Sequence, residues 1–414
     1  MRAGVAVRDV TPPPGAAMSG FAARTAPATG VHDPLLVHAL VVEETALVTV
    51  DVVGLHEDDC AEIRRRCTGP ADGVVVHATH THGGPVSMRG RLGAPVDEAW
   101  LAALVATCAE AVDAARAARE PVEVRAGYGA GPGVARNRRR PGGPVDDALP
   151  VLHLGRPDGS LLAAVLSYAC HPVVLGADNT LFTADYPGVA RRMLAERLGG
   201  PVLFVTGCAG DANTGHSAAA SISTAAAAGR TFAAAERIGT RVADAALTAE
   251  PRPGSGPVLA AAREVVLDLD VPAAAEIAAH IAAWDAEAAT AEPARAALLR
   301  EWSAWGRARP AGPATWSGVV SVLRWGPALL VALPGEPFAA AAHEIRRQAG
   351  PGTTVLVAGY SNGCPGYLPP AEEHASGGYE VTEAHRYYGM PGPFARGAAE
   401  RLLDAVRPLL DECG

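Results

Sequence analysis

A chain of 414 residues with 49% hydrophobic side chains holds enough apolar material for a substantial core, which excludes intrinsic disorder. Its formal net charge is −9, and its basic residues are scattered apart from the short runs Arg64 to Arg66 and Arg138 to Arg140, so the broad basic stripe of a nucleic-acid binder is missing. The 35 basic residues are all arginine, which excludes Schiff-base chemistry on an enzyme amine, a pyridoxal phosphate anchor and a P-loop lysine.

The N-terminus runs into a strand pattern at Ala3 to Val10 with no charged segment leading into an apolar stretch, so no signal peptide is expected. Arg64 to Arg66 read as a solvated helix face. Runs rich in Val and Leu predict buried strands at Ala46 to Val52, Val74 to His82, Leu161 to Tyr168, Val202 to Val205, Val319 to Leu333 and Thr354 to Ala358. Helical patterns cover Asp97 to Arg119, Val189 to Leu198, Phe232 to Ala249, Ala339 to Gln348 and Ala395 to Leu410. This alternation predicts an α/β fold, mixed β-sheets flanked by α-helices. Ser217 to Ala228 is a low-complexity stretch of Ala, Ser and Thr, with little to anchor it to a core. Pro272 to Arg307 reads as one or two amphipathic helices, with Ile277, Ile281, Trp284, Leu298, Leu299, Trp302 and Trp305 on a packing face. No linker divides the chain, so one domain over residues 1–414 is expected, with a helical insertion at 272–310. Apolar runs such as Ala328 to Leu333 are too short to cross a bilayer. The seven cysteines have no metal-type spacing and are expected reduced, and the expected location is the cytoplasm.

Four segments carry residue types suited to metal chemistry. In His77-Ala78-Thr79-His80-Thr81-His82-Gly83-Gly84-Pro85, strand alternation would project His80 and His82 from one face and His77 from the other, with the two glycines turning the chain and leaving room for a ligand. Two imidazoles at a strand end form half of a transition-metal site, although such pairs also occur in hydrogen-bonded cores. At Ala169-Cys170-His171-Pro172 an apolar strand ends in a histidine, where functional side chains are usually presented. In Leu333-Pro334-Gly335-Glu336-Pro337-Phe338, Pro337 suits a first helical turn, so Glu336 reads as a helix cap or as a metal carboxylate held charged by the macrodipole. The Gly- and Pro-rich loop Gly359 to Pro370 can present the phenols of Tyr360 and Tyr367 to a site.

Taken in order, these segments resemble the neutral ceramidase family. His80-Thr81-His82-Gly83-Gly84-Pro85 is similar to that family's His-Thr-His-Ser-Gly-Pro. Pro334-Gly335-Glu336 is similar to its Pro-Gly-Glu, and Tyr367 follows Ser361-Asn362 at a similar spacing. The opening Ala3 to Pro14 is similar to its first strand. The resemblance implies Zn²⁺ held by His80, His171, Glu336 and Tyr367, with His82 as a catalytic neighbour. Arg138, in Arg136-Asn137-Arg138, resembles the family's Asn-Arg and is implied to neutralise developing negative charge, a surface salt bridge being the other reading. Tyr379 and Asn213 are implied as lesser contributors. Asn213, in Gly210-Asp211-Ala212-Asn213, stands where the family has a serine. Few residues follow the Tyr367 loop, so no counterpart of the family's C-terminal immunoglobulin-like domain is expected.

The expected activity is therefore zinc-dependent hydrolysis of a linear amide in a soluble N-acyl small molecule, with no stable membrane association. A homo-oligomer is compatible with the sequence. The same site could instead join an acyl group to an amine or open a lactone, and a metal- or ligand-binding protein without turnover is the reading from another class. A serine hydrolase is the weaker alternative, and a His-Glu-x-x-His helix is absent, which leaves a zincin peptidase reading unsupported.

Overall fold

The computed structural model describes residues 1–217, 228–309 and 314–414. The low-complexity stretch Ser217 to Ala228 thus lies, but for its two ends, outside the described residues.

Three mixed sheets carry the architecture. In the first, Val74–Ala78 pairs in parallel with Thr45–Val50, and Leu36–Val42 and Arg2–Asp9 continue it antiparallel. In the second, Val202–Thr206 lies parallel to Leu161–Tyr168, followed by Leu149–Gly155 and Glu123–Gly129. In the third, Thr354–Ala358 lies parallel to Ala328–Ala332, followed by Thr315–Trp325 and Val258–Asp268. Each sheet therefore contains one parallel pair. The strands of these pairs are almost wholly buried, which explains why they read as runs rich in Val and Leu rather than alternating patterns.

Helices cover the outer faces. Glu57–Arg66 (α1) and Glu98–Ala117 (α2) flank the first sheet, Asp185–Leu198 (α3) and Phe232–Leu247 (α4) the second. The carboxylate of Asp97 caps α2 by accepting from Ala99 N and Trp100 N, and Thr231 caps α4 by accepting from Ala234 N. The insertion forms two helices, Ala274–Ala288 (α5) and Pro293–Ala308 (α6), the second opened by Pro293 at a position where no amide hydrogen is needed. Its Trp302 and Leu299 are buried in a separate apolar cluster, so the packing face expected there is present. Ala339–Ala349 (α7) and Ala398–Cys413 (α8) complete the third layer. Between the sheets, side chains such as Leu40, Leu47, Leu154, Val165, Leu330 and Leu356 form a common core.

Three expectations need correction. Val319 to Leu333 is a hairpin, not one strand, because Gly326-Pro327 turns the chain between Trp325 and Ala328. The strand expected to reach His82 ends at Ala78, where His80 takes a left-handed conformation (φ 65°). Arg64 is not solvated with Arg65 and Arg66; it folds back to donate to the carbonyl of Ala71 and to Asp72. All seven cysteines are unpaired and buried. Among the described residues no helix is long and apolar enough to cross a membrane.

Candidate metal centre

The parallel pairs of the three sheets bring their C-terminal ends together, the position where open α/β sheets present ligand-binding groups. His80 follows Val74–Ala78, His171 follows Leu161–Tyr168, and Glu336 follows Ala328–Ala332. His80 is held by its own backbone, whose amide donates to Val52 O at 3.0 Å, and by its ring, whose Nδ1 donates to Val53 O. His171 is held likewise: its amide donates to Ala212 O at 3.0 Å and its Nδ1 to Ala209 O at 2.8 Å. Carbonyl oxygens only accept, so both neutral rings carry their hydrogen on Nδ1 and offer a lone pair at Nε2.

Those lone pairs converge. The two Nε2 atoms lie 2.8 Å apart, and Glu336 Oε2 lies 3.4 Å from that of His80 and 3.2 Å from that of His171. All three groups are fully buried, and Oε2 has no hydrogen-bond donor. Acceptors facing acceptors without a proton between them are repulsive in a dry interior, and a cation among them removes the repulsion. Burial holds the His171 imidazole down at about 4, aided by the nearby Arg138 guanidinium, so a proton on that ring is not the remedy at neutral pH. His80, His82 and His171 each bring a ring nitrogen within 4.8 Å of the others, and this buried cluster has the chemistry to hold a metal ion.

The pairing of His80 with His82 survives, but for a reason other than strand alternation. The left-handed turn at His80 swings the chain so that His82 Nε2 comes 3.3 Å from His80 Nε2. Burial depresses the His82 imidazole far below its ordinary range, and its Nδ1 has no partner. Gly83 leaves no ligand space: a side chain there would meet Thr183 Cγ2 and O at 2.5 Å. Glu336 is not at a helix N-terminus, since α7 begins at Ala339; it sits instead in a two-residue ladder with Tyr367–Leu368. Asp211 is the cap, accepting from Ala339 N at 2.9 Å and from Asn137 Nδ2 at 3.0 Å.

Tyr367 stacks on His171 with ring centres 6.4 Å apart, and burial pushes its phenol above the usual range. Arg138 lies over the Tyr367 ring at 5.1 Å and donates to Glu380 at 2.8 Å, while one of its amino groups, Nη2, makes no hydrogen bond of sound geometry. It is buried, so the surface salt bridge is corrected to an internal one, continued by Arg139 and Arg140 on Glu373. Tyr379, half-buried, packs edge-on against Tyr367 at 5.8 Å. Asn213 reaches the chamber wall, but its amide is spent locally: Oδ1 accepts from Gly215 N and His216 N, and Nδ2 donates to His216 O.

Three residues escaped the sequence reading, and a fourth was read only in part. Tyr388 donates its hydroxyl to Glu336 Oε1. Tyr360, considered only as a phenol donor, stacks on His80 at 4.0 Å and is left-handed (φ 51°). Phe21 covers His82 at 4.9 Å, and Gly20 (φ 99°) gives that ring its room, since a Cβ there would fall 2.6 Å from it. Gly20, Leu92 and Tyr379 are shared between the small chamber at the centre and an adjoining cavity of about 710 Å³, whose far wall includes Arg295, Leu298 and Glu301 of α6. The only sequence signal for Gly20-Phe21 was a glycine beside an aromatic residue in an alanine-rich loop.

No protein-family model matches the chain, and no curated protein matches it. Solved structures do. The crystal structure of neutral ceramidase from Pseudomonas aeruginosa superposes with a TM-score of 0.74 at 17% identity, covering 99% of this chain and 74% of that one. A ceramidase complexed with C2 superposes equally well, with a TM-score of 0.74 at 16% identity and the same coverage. The chain thus has the neutral ceramidase fold, the architecture that the resemblance in its sequence implies.

Proposed function

We propose that this protein is a zinc-dependent hydrolase of linear amide bonds acting on an N-acyl small molecule. The observation that carries the reading is the meeting of the lone pairs of His80 and His171 with the Glu336 carboxylate in a buried pocket, without a donor among them. His80, His171 and Glu336, with the phenol of Tyr367, would hold the ion; His-rich, oxygen-completed sets suit zinc. When bound, zinc supplies Lewis acidity toward the acyl oxygen and lowers the pKa of coordinated water. The ceramidase fold supports a site of this kind, and the adjoining cavity of about 710 Å³ fits a small-molecule ligand.

The protein's own groups divide the remaining work. His82, kept neutral by burial and with Nδ1 free, accepts a proton from the attacking nucleophile and returns it to the departing amine. Arg138, fixed by Glu380, directs its unpaired Nη2 donor toward the negative charge that develops on the acyl oxygen. Tyr379 borders both the chamber and the cavity and orients the substrate between them. Asn213 shapes the loop that closes the chamber rather than contacting substrate with its carbonyl, which is already taken.

Elemental analysis of the purified protein, beside His80→Ala and His171→Ala, tests the ligand set; full zinc content in either variant contradicts it. A panel of N-acyl amides and lactones, scored for released amine, tests the reaction. Lactone opening without amide cleavage would replace this reading.

A further inference from the structure

The large cavity beside the metal centre carries a cation that no carboxylate among the described residues pairs with. Arg386 lies among three indoles of the helical insertion, its guanidinium carbon 4.3 Å from the ring centre of Trp302, 5.0 Å from Trp284 and 5.9 Å from Trp305. Indole faces attract a cation and fix the plane of the guanidinium, but they leave its in-plane donors unused. Nε and Nη1 are buried with no hydrogen-bond partner among the described residues. The group lines the cavity, yet no carboxylate among the described residues pairs with it, Glu383 acting on it only through the field.

The other two arginines on the same wall are satisfied differently. Arg295 is paired with Glu287, its Nε 2.8 Å from the carboxylate. Arg24 spends both amino groups on the carbonyls of Ser19, His82 and Gly176. Arg386 therefore keeps a rigid, preorganised guanidinium with unused donors on the wall of a cavity that meets the chamber of the metal centre at Tyr379.

We propose that Arg386 is a carboxylate-binding subsite, so that the substrate is an amide carrying an acidic group on the part that occupies this cavity. The inference rests on the amidase reading for the word amide, and on the cavity alone for the carboxylate. Planar bidentate recognition matches a carboxylate to a guanidinium. Glu301 and Glu383 on the same wall repel a second negative charge, which favours a singly charged carboxylate over a doubly charged phosphate. Two kinds of amide present the required group: N-acyl amino acids carry it on the amine half, and monoamides of dicarboxylic acids on the acyl half.

Calorimetric titration of the full-length, metal-loaded protein with hexanoate, against hexanamide as the uncharged control, reads the subsite without turnover. Hexanoate should bind the wild type, more weakly by roughly tenfold or more in Arg386→Met. It should bind roughly threefold more tightly in Glu383→Gln, a gain that a misfolded variant cannot produce. His80→Ala should retain it. Equal affinity in the wild type and Arg386→Met, equal binding of hexanamide, or loss in His80→Ala alone would each overturn the subsite. Turnover of N-hexanoylglycine and of the monobutylamide of adipic acid, each against its methyl ester, then identifies the half that bears the acid, as the pair whose acid preference disappears in Arg386→Met. Hexanoate binding through Arg386 without cleavage of any amide would overturn the amidase reading and leave the subsite standing. Cleavage that favours the esters in both proteins would do the reverse.

Discussion

His77, the histidine of the triplet turned away from the metal centre, should be a stability determinant with a pH signature of its own. It stands at the end of the first sheet's parallel pair and fastens the other two: Thr206 N, from the second sheet, donates to its Nε2 at 3.0 Å, and its Nδ1 donates to Gly359 O, just beyond the third sheet, at 2.9 Å. Replacing it with leucine, which is apolar and of similar volume, strands the Thr206 amide and deletes the second bond. Gly359 O keeps the Ser361 hydroxyl, so the larger cost is the orphaned amide. The variant should lose about 2–4 kcal/mol at pH 7. Acid should narrow that deficit. Burial pulls the His77 imidazole from 6.5 down to about 3, against the hydrogen bond to Gly359, which raises it. A folded pKa below the unfolded one means stability that is fully present above 6.5 and lost as pH falls toward 3. At pH 5 the unfolded chain has gained about 2 kcal/mol from protonating this residue, which leucine cannot do. His38 and His385, also near 3, titrate in both proteins and cancel. Urea unfolding at pH 7 and pH 5 measures both terms. A deficit under about 1 kcal/mol at pH 7, or one that fails to shrink at pH 5, would refute the clasp.

Asp51→Asn should cost about 3–5 kcal/mol in the same assay, because it leaves Arg191 buried beside a neutral group; Arg191 now donates to both oxygens of Asp51, which also accepts from Thr79 Oγ1 at 3.0 Å. A loss no larger than that of a surface substitution would show the pair to be dispensable. Tyr388→Phe removes the donor to Glu336 Oε1 and should weaken metal retention about tenfold in a chelator competition, with the far-ultraviolet spectrum unchanged. Unaltered retention would mean that the hydroxyl does not orient the carboxylate. Gly20→Ala should lower kcat/KM on any amide substrate by about tenfold or more while metal content stays full, since the added Cβ displaces His82 and not the ligands. Activity at the wild-type level would remove His82 from the reaction.

The strands at the heart of the fold were legible because both of their faces are buried, so that apolar residues rich in Val and Leu occupy consecutive positions in Leu161–Tyr168 and Thr354–Ala358. The outer strands were not. Glu123–Gly129 alternates charged and small residues around a single apolar face, and Val258–Asp268, with three alanines, Arg263 and Glu264, looks as much like a helix as a strand. The third sheet's long pairing with Thr315–Trp325 decides the matter, and that partner is remote in sequence. The site residues were legible as types: imidazoles and a carboxylate beside turn-forming residues. Tyr388 was not, because it follows short turns with no periodicity, and its one functional mark is a bond to Glu336 made across 52 positions.

What the sequence could not carry was the conformation that makes those types a site. Non-glycine residues in the left-handed region are uncommon, yet His80, Tyr360 and Asn362 all adopt it in the segments that build the centre. Each costs on the order of 1–3 kcal/mol and persists only where the surroundings over-determine it. They do so here through backbone bonds from different sheets. Ala78 N donates to Tyr360 O, Asn362 N donates to Val76 O at 2.7 Å, and the Asn362 side chain accepts from Val76 N at 3.1 Å. The loop that bears Tyr367 is thereby bonded to the strand that bears His80, and Tyr360 is pressed against the His80 ring. Local preference would relax every one of these residues. Their strain is affordable only after three sheets, joined at the ends of their parallel strands, have brought His80, His171 and Glu336 within reach of one ion.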